Sequence, residues 1–156
     1  MTETARSLNT NARAAIAEAL NQSLAETAVA TMLAQNFHWN VKGMAFGPLH
    51  TLFQTIYEDH FLAQDDLAER IKALDAHAEG RLGEMLKRSK VVENDGLGSD
   101  RDMLEALLAA QETLAGTLAT AGAEAAEQGD TLTEDLCIAR GQVHEKFAWM
   151  LRSHLA

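Results

Sequence analysis

The chain has 156 residues, enough for one domain with a sizeable core, and its hydrophobic fraction of 47% is mostly alanine and leucine with few aromatic residues. A formal net charge of −10 disfavours binding to phosphate polymers such as nucleic acid and favours the attraction of cations. No apolar run approaches membrane-spanning length, no apolar leader stands in the first ten residues, and the one cysteine excludes an internal disulfide, which together predict a cytoplasmic protein.

The first half of the chain predicts two long helices. Apolar residues recur at steps of three and four over residues 8–41, which is the spacing of one helical face. Gly43 and Gly47 bracket a break, and Pro48 is expected as the first residue of a second helix over residues 48–74, because its missing N–H would lack a partner there. Three large apolar side chains at helical spacing are assigned to the core, namely Met32, Phe53 and Phe61.

The second half predicts a long connection followed by two more long helices. Glycines interrupt residues 75–98, where only a short helix around residues 82–88 is expected. Ser99 and Asp102 have the spacing of a capping box and open a third helix, and Thr131 opens the fourth after a break at residue 129. We therefore predict an all-α, ferritin-like four-helix bundle, with residues 1–156 as one domain and a long crossover between the second and third helices.

A metal centre inside the bundle is disfavoured. Ferritin-like bundles build such a centre from Glu-x-x-His pairs, whose members lie one turn apart. The chain contains no such pair, and the nearest approach is Gln35 before His38, whose amide is a poor iron ligand. Glu58 and His60 are two residues apart and therefore point to different sides of their helix.

Four other side chains could hold a metal ion between two copies of the chain. His38 and His50 flank the first turn, while Asp65 and Glu69 project from one face of the second helix. His50 and Asp65 are about 22 Å apart on a straight helix, whereas an ion lies about 2 Å from each ligand. One site using all four needs two chains, and a two-fold contact would create two equivalent sites. Imidazole with carboxylate favours iron or zinc, although helix capping and solvated helix faces explain each residue singly.

The chain resembles the Dps proteins, the DNA-protection-during-starvation proteins or mini-ferritins, over its whole length. The matching blocks are Asn36-Phe37-His38-Trp39-Asn40-Val41-Lys42-Gly43, then Phe46, then Leu49-His50, then Asp65 and Ala68-Glu69-Arg70, and finally His144-Glu145-Lys146-Phe147-Ala148-Trp149-Met150. The resemblance implies a hollow shell of twelve chains that binds Fe(II), oxidises it to Fe(III), preferentially with hydrogen peroxide, and stores ferric mineral. Such a protein protects the cell against oxidative damage.

The resemblance also implies the ligands by position. His38 and His50 of one chain and Asp65 and Glu69 of its partner would form an inter-subunit ferroxidase centre, in which zinc is a possible surrogate for iron. Trp39 would resemble the aromatic neighbour that traps stray oxidising equivalents, unless it is simply a packed interface residue.

The chain departs from the family pattern at Gln54. The family commonly has an acid four residues after the second histidine, and its loss removes a negative charge and an oxygen ligand. Glu58, about 6 Å further along the helix, is a weak substitute. We therefore predict one firm and one labile iron in each centre. The alternative function is a DNA-associated or metal-storing shell with weak or no ferroxidase activity.

DNA binding is not expected from the charge, because twelve copies would carry about −120 and no Lys-rich tail is present. The acidic iron-entry channels of the family correspond here to Asp130 and Asp135, unless these residues only cap and solvate the last helix. Cys137 is expected to be a small apolar filler. Four histidines have no evident partner and receive no role, namely His60, His77, His144 and His154.

Overall fold

The computed structural model describes Ala5 and residues 7–156, and we number its helices in chain order. The four long helices are α1 (Thr10–Asn40), α2 (Phe46–Ala73), α4 (Asp100–Gln128) and α5 (Thr131–Leu155), and the crossover contains the short α3 (Leu82–Arg88). This confirms the predicted all-α bundle and its crossover. Residues 1–4 and 6, which the predicted domain and the predicted lack of a leader include, lie outside the described part.

Local sequence explains three of the helix ends. Asn9 accepts a hydrogen bond from the backbone N–H of Ala12 at 2.9 Å and so caps α1. Ser99 and Asp102 form the predicted capping box at the start of α4. Gly129 ends α4 with φ of +76°, a left-handed conformation that glycine adopts without strain.

The predicted start of α2 at Pro48 is wrong by two residues. The helix begins at Phe46, so that Pro48 is its third residue. The first four N–H groups of a helix have no partner within it, and proline is therefore tolerated anywhere in that turn. After Pro48, the backbone N–H of Leu49 makes the first hydrogen bond of the helical pattern, to the carbonyl oxygen of Ala45 at 3.1 Å.

The long helices pack as two pairs, α1 with α2 and α4 with α5, and α1 also packs against α4. The core is divided into two apolar clusters. One contains Phe37, Phe53 and Leu107 near the α1–α2 turn. The other contains Ile16 and Ile71 and lies toward the opposite end of the bundle. The space between them on α2 and α5 is therefore open to polar side chains.

Two of the three large side chains assigned to the core lie on the surface. Phe53 is fully buried as expected, but Met32 is 52% exposed and Phe61 is 68% exposed. Helical spacing identifies an apolar stripe but does not say which element covers it. The described residues leave at least half of each side chain exposed, so α1 and α2 carry apolar surface on the outside of the bundle.

Side chains in the first half of α1 fix the crossover. Asn21 donates to the carbonyl oxygen of His77 and accepts from the N–H of Glu79, each at 2.9 Å. Gln22 donates to the carbonyl oxygen of Arg88 at 2.9 Å. These bonds hold α3 and its flanking segments against α1. None of the described helices is long and apolar enough to cross a lipid bilayer.

Candidate metal site

The two histidines predicted as ligands face each other across the α1–α2 turn. Their rings are stacked, with centroids 3.7 Å apart and an interplanar angle of 18°. His38 Nδ1–H donates to the carbonyl oxygen of His50, and His50 Nδ1–H donates to that of His38, both at 2.8 Å. A carbonyl oxygen only accepts, so each Nδ1 carries the proton and each Nε2 keeps a lone pair. Both imidazoles are therefore set in the tautomer that binds a metal through Nε2.

Two aromatic rings hold this histidine pair in place. Phe46 stacks on His50 with centroids 4.8 Å apart, and Tyr57 meets His38 edge-on at 5.3 Å. The turn itself contains Gly43 at φ of +100°, which few other residues adopt. Packing on both sides therefore orients the imidazoles before any ion arrives.

The two predicted carboxylate ligands lie elsewhere on α2. Asp65 and Glu69 are exposed, and neither bonds to another described residue. Within residues 7–156, no three His, Cys, Asp or Glu side chains lie close enough together to hold an ion. The folded chain thus brings the two histidines together but does not bring the carboxylates to them.

The two weak ligand candidates are bonded to each other. Gln54 donates from Nε2 to Glu58 Oε1 at 2.7 Å. Glu58 is exposed, and Gln54 is half-buried beside it. In the described chain, therefore, neither of them is hydrogen-bonded to the histidine pair.

Trp39 lies on a neighbouring face of α1. It is 61% exposed and lines a groove between α1 and α3 together with Met32, Leu82 and Leu86. Among the described residues the rings in contact with His38 and His50 are those of Phe46 and Tyr57 and each other. Consecutive helical residues are rotated by about 100°, which explains why the sequence neighbour of His38 is not its neighbour in space.

Known proteins match this chain throughout the bundle. A family model of the ferritin-like domain matches residues 17–156. The Dps protein of Vibrio cholerae O1, described as one of the ferritin-like diiron-carboxylate proteins, superposes with a TM-score of 0.92 at 32% identity, covering 96% of this chain and 94% of that one. The DNA protection during starvation protein of Helicobacter pylori is 33% identical over 140 residues, covering 89% of this chain and 97% of its own. The chain belongs to the Dps family of ferritin-like proteins.

General stress protein 20U of Bacillus subtilis is similar as well, at 33% identity over 138 residues, which are 88% of this chain and 95% of that protein. Dps from Staphylococcus aureus superposes with a TM-score of 0.89 at 33% identity, covering 96% of this chain and 99% of that one. The predicted resemblance to Dps proteins is thus confirmed over almost the whole chain.

In this Dps chain, the middle of the bundle contains a polar network between the two apolar clusters. Arg140 of α5 donates to both carboxylate oxygens of Asp59, at 3.0 and 2.6 Å. His60 Nδ1–H donates to Asp59 at 3.0 Å, and His60 Nε2 accepts from the Gln111 amide at 3.0 Å. His144 Nδ1–H donates to Gln111 Oε1 at 2.8 Å, and its Nε2 accepts from Arg140 at 3.4 Å.

Every imidazole nitrogen in this polar network is occupied. His60 and His144 are fully buried, and neither keeps a free lone pair for a metal ion. Arg140 Nε is the one polar atom of the network that lacks a partner in the described part of the chain. The expectation that His60 and His144 have no partners is therefore wrong. Their Nε2 lone pairs are used for hydrogen bonds within the network.

The electrostatics keep both buried histidines neutral. Burial lowers the pKa of His144 to about 2, and the charges of His60 and Arg140 act in the same direction. Burial also lowers the pKa of His60, against an opposing hydrogen bond to Asp59. Burial alone would raise the pKa of the Asp59 carboxyl, but hydrogen bonds from His60 and Arg140 bring it well below its usual value. Asp59 therefore stays ionised beside the cationic Arg140, and the two histidines stay uncharged.

The two predicted channel residues differ in their surroundings. Asp130 is fully buried, caps α5 by accepting from the N–H of Thr133, and forms an ion pair with Arg70 at 2.8 Å. Asp135 is exposed on the first turns of α5. The carboxylate of Asp130 is thus already committed to holding the start of α5 against α2, whereas that of Asp135 is open to solvent.

Three further residues stay outside the site. Cys137 packs in the second apolar cluster, as expected of a small apolar side chain, and burial raises the pKa of its thiol to about 11. His77 and His154 are exposed.

Proposed function

We propose that this Dps protein is a ferroxidase that oxidises Fe(II) to Fe(III), preferentially with hydrogen peroxide, and stores the ferric product inside a hollow dodecamer. The observation that carries the proposal is the crosswise bonding of His38 and His50, which leaves two adjacent Nε2 lone pairs without a carboxylate nearby. Two imidazoles alone are a weak site for Fe(II), which also favours carboxylate oxygens. The missing oxygens are available on exposed Asp65 and Glu69 of a second copy.

The geometry of α2 supports such a pairing. At about 100° per residue, five polar side chains of the helix lie on one stripe about 100° wide, which also contains the exposed Phe61. The stripe contains His50, Gln54, Glu58, Asp65 and Glu69. Two copies of α2 running antiparallel about a two-fold axis near residues 58 and 59 would set each His50 opposite the other copy's Asp65 and Glu69. One contact would then complete two centres.

Exposed apolar side chains flank both halves of this centre. Phe61 and Leu62, one turn before Asp65, are 68% and 66% exposed. Phe46, which stacks on His50, is 45% exposed, and Trp39, on the neighbouring face of α1, is 61% exposed. Apolar surface of this kind around a polar centre is typical of a surface that another protein covers. We propose that a second copy covers it, and that Trp39 is part of the interface.

The chemistry would couple two ferrous ions to one peroxide. Two Fe(II) ions give one electron each, hydrogen peroxide takes both electrons with two protons, and two water molecules leave. The histidine pair would hold the first ion with the partner's carboxylates. Gln54 cannot add a negative charge, so we propose that the second ion is labile. A titration that finds two equally tight Fe(II) ions per centre would contradict this stoichiometry.

Mixing two inactive variants tests the inter-chain centre. A His38→Ala chain keeps its carboxylates, and an Asp65→Ala chain keeps its histidines. In random mixed assemblies about a quarter of the centres combine the intact halves. We therefore expect peroxide-driven Fe(II) oxidation to recover to about a quarter of the wild-type rate after the two chains are refolded together.

The matched control mixes His38→Ala with His50→Ala. Every centre in that mixture has a damaged histidine pair, and no recovery is expected. Native mass spectrometry would show that both mixtures contain mixed assemblies. Mixed assemblies that show no recovery in the first mixture would mean that the ligands do not come from two chains.

A second candidate function is a divalent-metal store with weak or no ferroxidase activity. The Gln54–Glu58 hydrogen bond favours it, because the position of the usual acid is a neutral amide already bonded elsewhere. Zinc would occupy the same ligands. Tight Zn(II) binding that depends on His50, combined with no iron turnover under peroxide, would favour storage over oxidation.

Iron entry and DNA avoidance complete the proposal. We propose that Asp135, being exposed, lines the entry path, and that Asp130 fixes the start of α5 beside it. An Asp135→Asn chain should mineralise more slowly than wild type, while its centre binds Fe(II) normally.

At −10 per chain, phosphate repulsion should prevent a mobility shift of plasmid DNA at moderate salt.

A further inference from the structure

Glu26 of α1 is a buried acid that has no counter-ion among the described residues. It is fully buried, as is Asp130, and these are the two buried acidic residues of the described chain. Asp130 forms an ion pair with Arg70 at 2.8 Å. Glu26 forms no ion pair within residues 7–156, and its Oε2 atom has no hydrogen-bond partner there. Such an oxygen is costly in either protonation state, because a carboxylate needs a positive partner and a protonated acid needs an acceptor for its O–H.

The polar groups around Glu26 do not supply that partner. Its Oε1 atom accepts from the Gln22 amide at 2.6 Å and from the backbone N–H of Lys90 at 3.4 Å. The buried neighbours Ser23 and Thr27 each donate their hydroxyl hydrogen to a backbone carbonyl oxygen of α1. The donors in this region are therefore used at Oε1 or elsewhere, and Oε2 is left over.

The basic side chains of the adjoining crossover are also engaged elsewhere. Lys87 forms an ion pair with Glu84 at 2.9 Å, and Arg88 forms one with Glu18. Lys90 is exposed, and only its backbone N–H is bonded to the buried acid. Three positive charges thus lie within four residues of one another beside this acid, and none of them pairs with it.

Oxygen atoms of three groups meet at this place. The Gln22 amide nitrogen donates both to Glu26 Oε1 and to the carbonyl oxygen of Arg88, the latter at 2.9 Å. One NH₂ group therefore bridges a carboxyl and a carbonyl oxygen. Turned by half a rotation, the same amide would present its acceptor oxygen to that point.

We infer that Glu26, Gln22 and the carbonyl oxygen of Arg88 form a binding site for an alkali-metal cation such as Na⁺ or K⁺. The single negative charge of the site matches a monovalent ion. Backbone carbonyl oxygens replace the hydration shell of such ions in proteins. The site offers oxygen atoms only, so it does not suit the metals that prefer imidazole.

A cation here would stabilise the crossover. Gln22 and Glu26 bond to the backbone of residues 88 and 90 and so hold the end of α3 against α1. The same short helix forms one wall of the apolar groove that contains Trp39. A bound ion would therefore fix α3 and the shape of this groove, whether or not the protein is a ferroxidase.

Hydrogen exchange on the intact protein tests the site. Backbone amides of residues 82–91 should exchange several-fold more slowly in NaCl or KCl than in tetramethylammonium chloride of equal ionic strength, because the larger ion cannot enter. Glu26→Gln should lose this dependence. The control Glu112→Gln, which removes the same charge from an exposed position on α4, should keep it.

Thallium(I), which substitutes for K⁺, locates the ion in crystals by its anomalous scattering. A peak beside Glu26 is expected in wild type and none in Glu26→Gln. Equal exchange of wild type in all three salts, or thallium peaks at other places only, would overturn the inference, because water or a proton would then satisfy Oε2. Ion dependence that persists in Glu26→Gln would overturn it as well. If that variant does not fold, the two wild-type measurements decide.

Discussion

The molecule contains two pairs of histidines that differ in whether their Nε2 lone pairs are free to bind a metal ion. At the α1–α2 turn, His38 and His50 each donate a hydrogen bond from Nδ1–H to a backbone carbonyl oxygen, and both Nε2 lone pairs stay free. In the middle of the bundle, His60 and His144 lie with centroids 4.9 Å apart, and side-chain donors take both of their lone pairs. The groups that face each imidazole, rather than residue type or proximity, decide whether it can become a ligand.

Position in the helix explains the difference. The carbonyl oxygen of His38 lies in the last turn of α1, has no helical partner and accepts from His50. The carbonyl oxygen of His50, near the start of α2, has two lone pairs and accepts from His38. His60 and His144 lie inside long helices, where side chains from neighbouring helices are the available partners. Backbone carbonyls thus hold the first pair and leave its Nε2 lone pairs free, and we call it the open pair. Side chains hold the second pair and occupy its Nε2 lone pairs, and we call its surroundings the closed network.

The largest expected effect separates the two pairs by metal affinity. A His50→Gln chain should lose more than about 100-fold in Co(II) affinity, since even the supporting partners of metal ligands are worth 10- to 100-fold. A His144→Gln chain should bind Co(II) as wild type does. Calorimetry on both assembled proteins makes the comparison, and equal losses in the two would refute the distinction.

The next effect concerns stability in the closed network. An Arg140→Met chain leaves Asp59 charged and mostly desolvated, and unpaired buried charges cost several kcal/mol. Because Asp59 is 27% exposed, we expect a smaller loss of about 2–3 kcal/mol in the free energy of unfolding. Arg152→Met, which breaks an exposed pair with Glu112, is the control and should cost less than about 1 kcal/mol. Denaturant titration measures both, and similar losses would contradict the prediction.

Acid should weaken the closed network. The folded-state pKa of His144 is lowered to about 2, so the unfolded chain takes up its proton first as the pH falls below about 6.5. Stability should then fall by about 1.4 kcal/mol per pH unit for this group. A His144→Gln chain should lose part of that slope between pH 6.5 and 4.5. The exposed His154→Gln chain should keep it, and equal slopes in all three proteins would refute the assignment.

The smallest expected effect is a gain in Fe(II) affinity beside His38 and His50. A Gln54→Asp chain restores a carboxylate one turn after His50, and we expect the labile second Fe(II) to bind about ten times more tightly. Gln142→Asp, on the exposed side of α5, makes the same change of charge away from the centre and should have no such effect. Anaerobic Fe(II) titration distinguishes them.

Much of the fold was accessible from the sequence because its signals are local. Three- and four-residue periodicity and the Ser99–Asp102 capping box place the helices to within two residues. Pro48 is displaced from its predicted place because a helix tolerates proline throughout its first turn. Met32 and Phe61 are exposed because periodicity does not identify the covering partner.

The candidate site was accessible only in part. The spacing of His38 and His50 around a glycine turn predicts that they meet, but not their crosswise hydrogen bonds. The closed network was missed because its members are far apart in sequence. Gln111, for example, bonds to residues 51 and 33 positions away, and neither interaction leaves a periodic trace.

The distance along α2 between His50 and Asp65 has a consequence for timing in the cell. If the centre is divided between two polypeptides as proposed, a newly synthesised subunit holds its imidazoles and its carboxylates too far apart to share one ion. It cannot start redox chemistry on the ribosome or while still alone. Catalysis would switch on only as the container forms around it, so that reactive iron is handled where a compartment already exists to receive the product.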